Sequence, residues 1–496
     1  MLPLFVIISL GAAFLIALFG RKSKLFCDIA GSLSTFILFV LSVYSLVVVK
    51  QSGAVVYKIG GWVLPLGICF VLDGLSAFML VILNLVSFLI AVYSISYMEK
   101  YTDKFRFYCL FMLMVAGMNG IIITGDIFNL FVFLEIASVA SYALVAFGTE
   151  AEELEAAFKY AVMGAIASSF ILLGIAFLYA YASTLNMADM ALIIAQKGFS
   201  TVILFVSVLF IAGFGIKSAL FPFHAWLPDA HPSAPASISA MLSGLLIKIL
   251  GVYALMRIFF NIFGISSNIL SILMILGIIS MAVGGLLAIG QQDIKRMFAY
   301  SSISQMGYVF LGLGIATPLA IIGALYHLVN HAISKSLLFL NSGAIEYSTG
   351  TRDLDKMGGI NTRMPVTGYT SLIGSLSISG IPPFGGFWSK LIIIIAAVKA
   401  GYLTGAIVAT LVSILTLAYY LRFQKNAMFG NLKQDLSKII EVPLSMKLSM
   451  ILLAFLCLMG GILLIPAVSA YFLEPATEVL VSGSDYAFTV LGGKPL

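Results

Sequence analysis

Charged residues are scarce in this chain of 496 residues. Asp, Glu, Lys and Arg make up 10% of the sequence and hydrophobic residues make up 61%, whereas soluble domains carry about 25% charged residues. A soluble core could not bury this much apolar surface, so the composition excludes a soluble globular protein. Apolar runs such as Gly198–Ile216 and Leu448–Tyr471 reach the roughly 20 residues that a helix needs to cross a bilayer. The sequence therefore predicts an all-α polytopic membrane protein.

Cysteine and histidine are also rare, with four residues of each type. The cysteines lie far apart and form no CxxC pair, which argues against an iron–sulfur or structural zinc site. The sequence contains no nucleotide-binding loop and no redox motif. We therefore expect no metal, no cofactor and no catalytic or redox centre within this chain. Whether it is a subunit of an oxidoreductase stays open at this point.

Polar breaks divide the apolar sequence into about fourteen predicted membrane helices. Met1–Phe19 is predicted to be the first of them, because it has no basic n-region and no small-residue cleavage site before "GRKSK". Of the 27 Lys and Arg residues, 17 fall in loops on one side, 6 lie on the other side and four lie inside helices. The positive-inside rule then places both termini outside the cytoplasm. The net charge of +6 thus reflects orientation in the bilayer and does not indicate nucleic-acid binding.

The four lysines inside predicted helices need an explanation, because a membrane interior offers little water to solvate them. Two of them adjoin prolines that interrupt a helix. One lies just before Pro222 and the other follows Pro382 and Pro383. Broken helices in corresponding places of two halves are typical of ion sites in transporters built from inverted repeats. The four lysines are Lys217, Lys248, Lys335 and Lys390.

Glu135 is a carboxylate far from both ends of its apolar segment, "DIFNLFVFLEIASVASYALVAFG". An unpaired carboxylate there costs on the order of 3 kcal/mol, so it must pair, be protonated or face water. Snorkelling to the interface explains Lys248 poorly, because mostly apolar turns lie on either side of it. We interpret Glu135, Lys217 and Lys248 together as functional residues.

The segment "YHLVNHAISKSLLFL" places His327, His331 and Lys335 at i, i+4 and i+8, on one face of a helix. Three roles stay open for these side chains. They could bind a metal, although a third ligand would have to come from His224 or His231 in a separate segment. They could form buried hydrogen bonds, or they could carry protons, because imidazole titrates near neutral pH and lysine responds readily to desolvation. A row of titratable groups through an apolar protein favours proton transfer.

Five long, ordered motifs give the chain a family resemblance. They are "FLEIASVASYALVA", "GIKSALFPFHAWLPDAHPSAPASISAMLSGLLIKILGVYALMR", "DIKRMFAYSSISQMGY", "HLVNHAISKSLLFL" and "SGIPPFGGFWSK", and they span residues 133–390. In these motifs the chain resembles the antiporter-like subunits shared by respiratory complex I, membrane-bound hydrogenases and Mrp cation/proton antiporters.

The resemblance implies fourteen core helices with two inverted five-helix repeats, in which helices 7 and 12 are broken. The implied segments are 1–105 for helices 1–3, 106–260 and 261–430 for the two repeats, and 431–496 for helix 14 and the tail. The implied partners are other membrane subunits of a multisubunit antiporter or respiratory complex in the plasma membrane of a prokaryote. The transported ion is the proton, and transport of Na⁺ by this chain stays open.

The resemblance also implies roles for individual residues. Glu135 and Lys217 match the family's glutamate–lysine pair, and Lys248 matches the central lysine of helix 8. Lys390 matches the terminal charged residue of helix 12. We therefore expect a proton pathway, called here the titratable row, formed by Glu135, Lys217, His231, Lys248, His327, His331, Lys335 and Lys390.

The subtype within the family follows from two of these positions. Lys248 departs from the largest complex I subunit and from the Mrp A subunit, and Lys390 departs from the middle complex I subunit, which carries glutamate there. The resemblance is therefore greatest to the Mrp D subunit and to its counterpart in membrane-bound hydrogenases and sulfane reductases. An alternative of another class is a stand-alone secondary transporter of a small solute, but the polar groups form a line and no visible pocket.

Overall fold

A computed structural model of the protein describes residues 1–101, 103–264 and 266–492, and most of these residues are helical. An antiparallel hairpin of β1 (Val55–Lys58) and β2 (Cys69–Leu72) separates the second and third helices. The helices are α1 Leu4–Phe19, α2 Lys24–Ser52, α3 Gly74–Tyr97, α4 Lys104–Ile123, α5 Ile127–Val145, α6 Ala151–Ala182, α7 Met187–Lys197, α8 Thr201–Lys217, α9 Leu227–Ser233, α10 Ala236–Ile262, α11 Ser267–Ile289, α12 Ile294–Ile315, α13 Pro318–Thr349, α14 Pro365–Ser379, α15 Gly385–Lys399, α16 Leu403–Phe423, α17 Leu444–Met459, α18 Pro466–Ser469, α19 Leu473–Val481 and α20 Tyr486–Leu491.

Ten helical segments within the described residues are long and apolar enough to cross a membrane. They include α1, so the prediction of a first membrane helix in Met1–Phe19 agrees with the structure. The chain is therefore a polytopic, mostly helical membrane protein, as its composition predicts.

Two helices form the centre of the bundle. Every residue of α10 is buried, and α13 is buried from Gly323 to Ile345. By contrast, α1 and α2 present large apolar side chains such as Phe14 and Leu25 to the surface. Because α10 is buried all round, it has no face for lipid or solvent, and its polar side chains must find partners inside the protein.

The chain leaves the helical conformation in both proline-containing segments that the sequence singled out. After α8, Ala219 adopts a left-handed conformation with φ of 55°, and Pro222 follows. After α14, Gly380 adopts φ of 85°, and Pro382 and Pro383 follow before α15 begins. Left-handed residues end helices and proline cannot continue them, which explains why both breaks occur where they do.

Candidate functional site

Lys217 is the last residue of α8, and polar side chains of α5 contact its ammonium group. Its Nζ donates hydrogen bonds to Ser138 Oγ at 2.9 Å and to Tyr142 OH at 3.2 Å. The carboxylate of Glu135 lies 3.9 Å from the same Nζ. Ser168 of α6 donates a hydrogen bond to Glu135 Oε1. The predicted glutamate–lysine pair therefore exists, with hydroxyl groups around it that can pass a proton.

Glu135 differs from the rest of the titratable row in its exposure. Its side chain is 35% exposed, whereas that of Lys217 is 2% exposed. Glu135 is therefore both paired with Lys217 and partly exposed, two of the three outcomes expected for a carboxylate in an apolar segment. Glu135 is exposed because this face of α5 reaches the surface of the chain, and neighbouring residues such as Val132 and Val139 are exposed as well.

Lys248 occupies the middle of α10, in a stretch of widened helical turns between Leu242 and Tyr253. Such turns are rare and often mark functional sites. The side chain is buried, and its Nζ donates a hydrogen bond to Ser243 O at 2.6 Å.

Two glycines let neighbouring helices approach α10 near Lys248. A Cβ on Gly251 would stand 2.7 Å from Ser218 Cα at the end of α8, and a Cβ on Gly244 would overlap Ser336 Oγ of α13. These close contacts place Lys248 between the helix that carries Lys217 and the helix that carries His331 and Lys335.

His327, His331 and Lys335, called here the α13 motif, are all buried. The ring centroids of His327 and His331 lie 6.4 Å apart. His327 Nδ1 lies 3.0 Å from Ser389 Oγ of α15. Both ring nitrogens of His331 are buried without a protein hydrogen-bond partner, and a neutral imidazole has one donor and one acceptor nitrogen to satisfy.

Lys335, one helical turn further along α13, has a separate set of partners. Its Nζ donates hydrogen bonds to Phe298 O and to Tyr420 OH, both at 2.9 Å. Tyr420 OH in turn lies 3.2 Å from Ser301 Oγ, which accepts a hydrogen bond from Tyr419 OH at 2.9 Å. The ammonium group thus stands at one end of a buried chain of hydroxyl groups contributed by α12 and α16.

Lys390 is the last member of the row in the sequence and lies in α15, beside the second break. Its Nζ lies 3.4 Å from Ser379 O, 3.5 Å from Ser413 Oγ and 4.9 Å from the centroid of the Tyr308 ring. A cavity of about 250 Å³ lined by Lys390, Ser413 and Thr410 opens to the surface between α14, α15 and α16. The Tyr308 ring also lies 5.4 Å from that of His327, which connects Lys390 to the α13 motif.

His231 lies in α9, between the first break and α10. It is buried, and its two ring nitrogens have no protein partner. Its ring lies 6.0 Å from Trp226 and 5.7 Å from Phe339 of α13. The backbone just after it, at Pro232 and Ala234, accepts hydrogen bonds from a cluster of ion pairs outside the row.

That cluster is held together by Lys295, Glu346 and Arg352. Lys295 Nζ lies 3.0 Å from Glu346 Oε2 and donates a hydrogen bond to Ala234 O at 3.1 Å. Arg352 donates a hydrogen bond to Pro232 O at 2.6 Å. These contacts fix the backbone at Pro232, the residue after His231, and at Ala234, in the segment that joins α9 to α10.

Ion pairing along the row is confined to one end. Among the residues that the structure describes, Lys217 has a carboxylate within 4 Å, and the lysines at 248, 335 and 390 have none. No three His, Cys, Asp or Glu side chains within the same residues are placed to hold a metal ion. The arrangement therefore suits the transfer of protons between neutral and cationic groups.

Sequence reasoning missed several residues that complete the site. Ser138 and Tyr142 follow Glu135 at i+3 and i+7, so helical spacing could have identified them. Tyr308 and Ser413 gave no such signal, because they come from distant helices. Their positions near the row depend on tertiary packing, which a local sequence pattern does not predict.

A second buried ion pair, outside the row, was also missed. Arg257 of α10 lies 2.5 Å from Asp73, the residue that caps α3, and each side chain is 5% exposed. Arg257 also donates to Tyr253 OH at 2.9 Å and to Asn261 Oδ1 at 3.2 Å. These contacts join α3 to the C-terminal end of α10, opposite the end that adjoins the Lys295–Glu346 cluster.

Two known families match this sequence. The NADH:quinone oxidoreductase/Mrp antiporter transmembrane family matches residues 124–416. The N-terminal family of chain 5 of NADH-ubiquinone oxidoreductase (complex I) matches residues 59–108. The first match contains every member of the titratable row.

Individual proteins are similar over nearly the whole chain. The D subunit of the Na⁺/H⁺ antiporter of Alkalihalophilus pseudofirmus is 38% identical over 434 residues, which are 87% of each chain. A chain in the structure of the Mrp complex from Dietzia sp. superposes with a TM-score of 0.92 at 28% identity, over 99% of each chain. A chain of the membrane-bound sulfane sulfur reductase, an archaeal respiratory membrane complex, superposes with a TM-score of 0.90 at 32% identity, also over 99% of each chain.

Proposed function

This chain belongs to the NADH:quinone oxidoreductase/Mrp antiporter family, and on that premise we propose that it is a proton-translocating subunit of a multisubunit membrane complex. The complex is either an Mrp-type Na⁺/H⁺ antiporter, in which this chain is the D subunit, or a related redox-driven pump. The relatives in multisubunit complexes support a function together with other membrane subunits.

One observation carries the proposal. Titratable side chains, buried from Lys217 onward, occur in both halves of the chain, from Glu135 and Lys217 in the first to Lys390 in the second. A stand-alone solute carrier would need a cavity with specific polar contacts near the midplane, whereas the polar groups here form a line. Lys248 joins the two ends, because α10 packs on both α8 and α13 around it.

Matching backbone features support the two inverted repeats, 106–260 and 261–430. Asp126 caps α5 and pairs with Asn186 in an isolated antiparallel bridge, and Asp293 caps α12 and pairs with Asp353 in another. The intervening helices α6 and α13 have 32 residues each. The same 167-residue offset relates the two caps, the two bridge partners and the first residues of the two long helices.

The proposed topology has fourteen membrane helices. The N-terminal segment 1–105 contains α1–α3, and 431–496 contains α17 and the short helices after it. Helices 7 and 12 are each interrupted, as α8–α9 and as α14–α15. With both termini outside the cytoplasm of a prokaryotic cell, the Asp126 bridge lies on the outer side and the Asp293 bridge on the cytoplasmic side, as inversion requires.

The test is proton movement by the whole complex carrying Lys248→Ala. We expect everted vesicles with this variant to lose proton movement driven by Na⁺ or by respiratory substrate, because the two ends of the row are no longer joined by a titrating group. The matched control is Lys197→Ala, which removes an exposed lysine from the end of α7. Full proton movement by Lys248→Ala in an assembled complex would contradict the proposal. Solute uptake by the purified single chain in liposomes would favour the stand-alone transporter.

A further inference from the structure

An apolar groove lies on the membrane-facing surface, away from the titratable row. It has a volume of about 510 Å³, within the range of roughly 300–1,000 Å³ that is typical of ligand clefts. Its walls come from α2, α3, α13 and α17, and from the segment after α17. Representative lining residues are Leu85, Ile333, Leu456, Val468 and Tyr471.

The groove has a charged residue at one end. Lys50, near the C-terminal end of α2, donates a hydrogen bond from Nζ to Ala470 O at 3.2 Å. The same Nζ lies 5.3 Å from the centroid of the Tyr471 ring, and that ring lines the groove. Lys50 is exposed and lies where the apolar groove meets a neighbouring polar pocket that it lines with Asp73 and Glu478. It makes no ion pair within 4 Å among the described residues, so its charge is available to an external anion.

We propose that this groove binds one phospholipid, with an acyl chain along the apolar walls and the phosphate on Lys50. The apolar walls lie within the span of the membrane helices, where the surrounding solvent is acyl chains. A lysine beside an interfacial tyrosine is the arrangement that meets a lipid head group. The positive charge of Lys50 complements a phosphodiester, whereas an apolar helix of a partner subunit would fill the groove and leave that charge without a counter-ion.

The proposed lipid lies behind the helix that carries the α13 motif. Val329 and Ile333 of α13 line the groove. At about 100° per residue they lie roughly 160–200° around the helix from His331, on the opposite face. An acyl chain in the groove therefore packs against the face of α13 that carries Val329 and Ile333. This packing holds the opposite face of α13, which carries the titratable side chains, against the neighbouring helices.

The experiment uses the whole complex, purified in mild detergent, stripped of lipid and mixed with phosphatidylglycerol that carries a photoreactive acyl chain. After illumination, peptides from α3, α13 and α17 are analysed for attached lipid. We expect labelling of these peptides in the wild-type complex and a loss of about fivefold or more with Lys50→Glu, since one lysine near the surface contributes about that much attraction. The matched control is Lys58→Glu, which reverses the charge of an exposed lysine in β1 and should leave labelling unchanged.

A second variant tests the contribution of the groove walls independently of the charge on Lys50. Leu85→Phe with Val468→Phe narrows the groove and keeps Lys50, and we expect it to reduce labelling as well. If either variant fails to assemble, Lys50→Gln and the single Val468→Phe replace them. Equal labelling of the wild type, Lys50→Glu and the narrowed variant would overturn the proposal. So would a cross-link from the groove to a peptide of another subunit in the lipid-free complex, because a partner helix would then be the occupant.

Discussion

At the scale of single residues, the Glu135–Lys217 pair differs from an ordinary ion pair. Its shortest distance is 3.9 Å, and Lys217 is hydrogen-bonded to two hydroxyl groups that lie closer than the carboxylate does. A loose pair with neutral partners nearby can separate without leaving a buried ammonium group unsolvated. This geometry suits a pair that opens and closes during transport.

The first prediction concerns the carboxylate of this pair. We expect Glu135→Ala to abolish coupled proton movement while the complex still assembles, because Lys217 keeps its hydroxyl partners and loses its counter-charge. The measurement is proton movement in vesicles at matched expression. Glu155→Ala is the control, since Glu155 is 68% exposed and pairs with Lys159 at the surface. Normal transport with Glu135→Ala would show that the pair has only a structural role.

The second prediction distinguishes proton exchange from mere positive charge at Lys390. We expect Lys390→Arg to fail or to be severely slowed, because guanidinium does not release its proton under physiological conditions. Lys390→Ala should fail too, since it removes the titrating group. Transport in vesicles is the assay, with Lys399→Arg as the control at an exposed lysine of the same helix. If arginine supported full activity, charge alone would be what this site needs.

At the scale of helices, α10 depends on two glycine contacts to hold Lys248 in place. We expect Gly251→Ala to destabilise the protein by about 1–3 kcal/mol, the usual cost of overpacking. A Cβ there would meet the backbone of Ser218 at 2.7 Å, and backbone cannot move aside as a flexible side chain can. The measurement is thermal unfolding in detergent together with transport activity.

A matched substitution makes the result interpretable. Gly11 lies in α1, where an added Cβ has nothing within 4 Å. Gly11→Ala should therefore be neutral or stabilising, since alanine favours a helix over glycine by about 1 kcal/mol. Equal stability of the two variants would mean that α8 and α10 have room to separate.

The positions of the long helices were predictable from the sequence, but their partners were not. Lipid requires a run of about 20 apolar residues for each spanning helix, and such a run is visible without a structure. The breaks after α8 and α14 were also visible, because proline marks them. By contrast, the widened turns around Lys248 and the hydroxyl chain beyond Lys335 arise from contacts between distant helices. Such contacts cannot be predicted from the local amino-acid composition.

At the scale of the whole molecule, the charge distribution predicts one orientation in the membrane. We expect a tag placed in Glu346–Arg363 to react from the cytoplasm and a tag at the C-terminus to react from outside, by the positive-inside rule. Single-cysteine labelling with a membrane-impermeant reagent in intact and everted vesicles measures both positions. A tag placed after Arg21 is an internal control, because it should label from the same side as the tag in Glu346–Arg363. Labelling of the loop and the C-terminus from one side would mean that the proposed topology is wrong.

The partial exposure of Glu135 has a consequence for how the cell makes this protein. In the chain by itself, 35% of that side chain is exposed in a membrane helix, where a charged group costs up to about 3 kcal/mol when it lacks a partner. A partner subunit that covers this carboxylate would therefore stabilise the chain. We therefore expect the lifetime of this subunit, and so its abundance, to follow the supply of its partners.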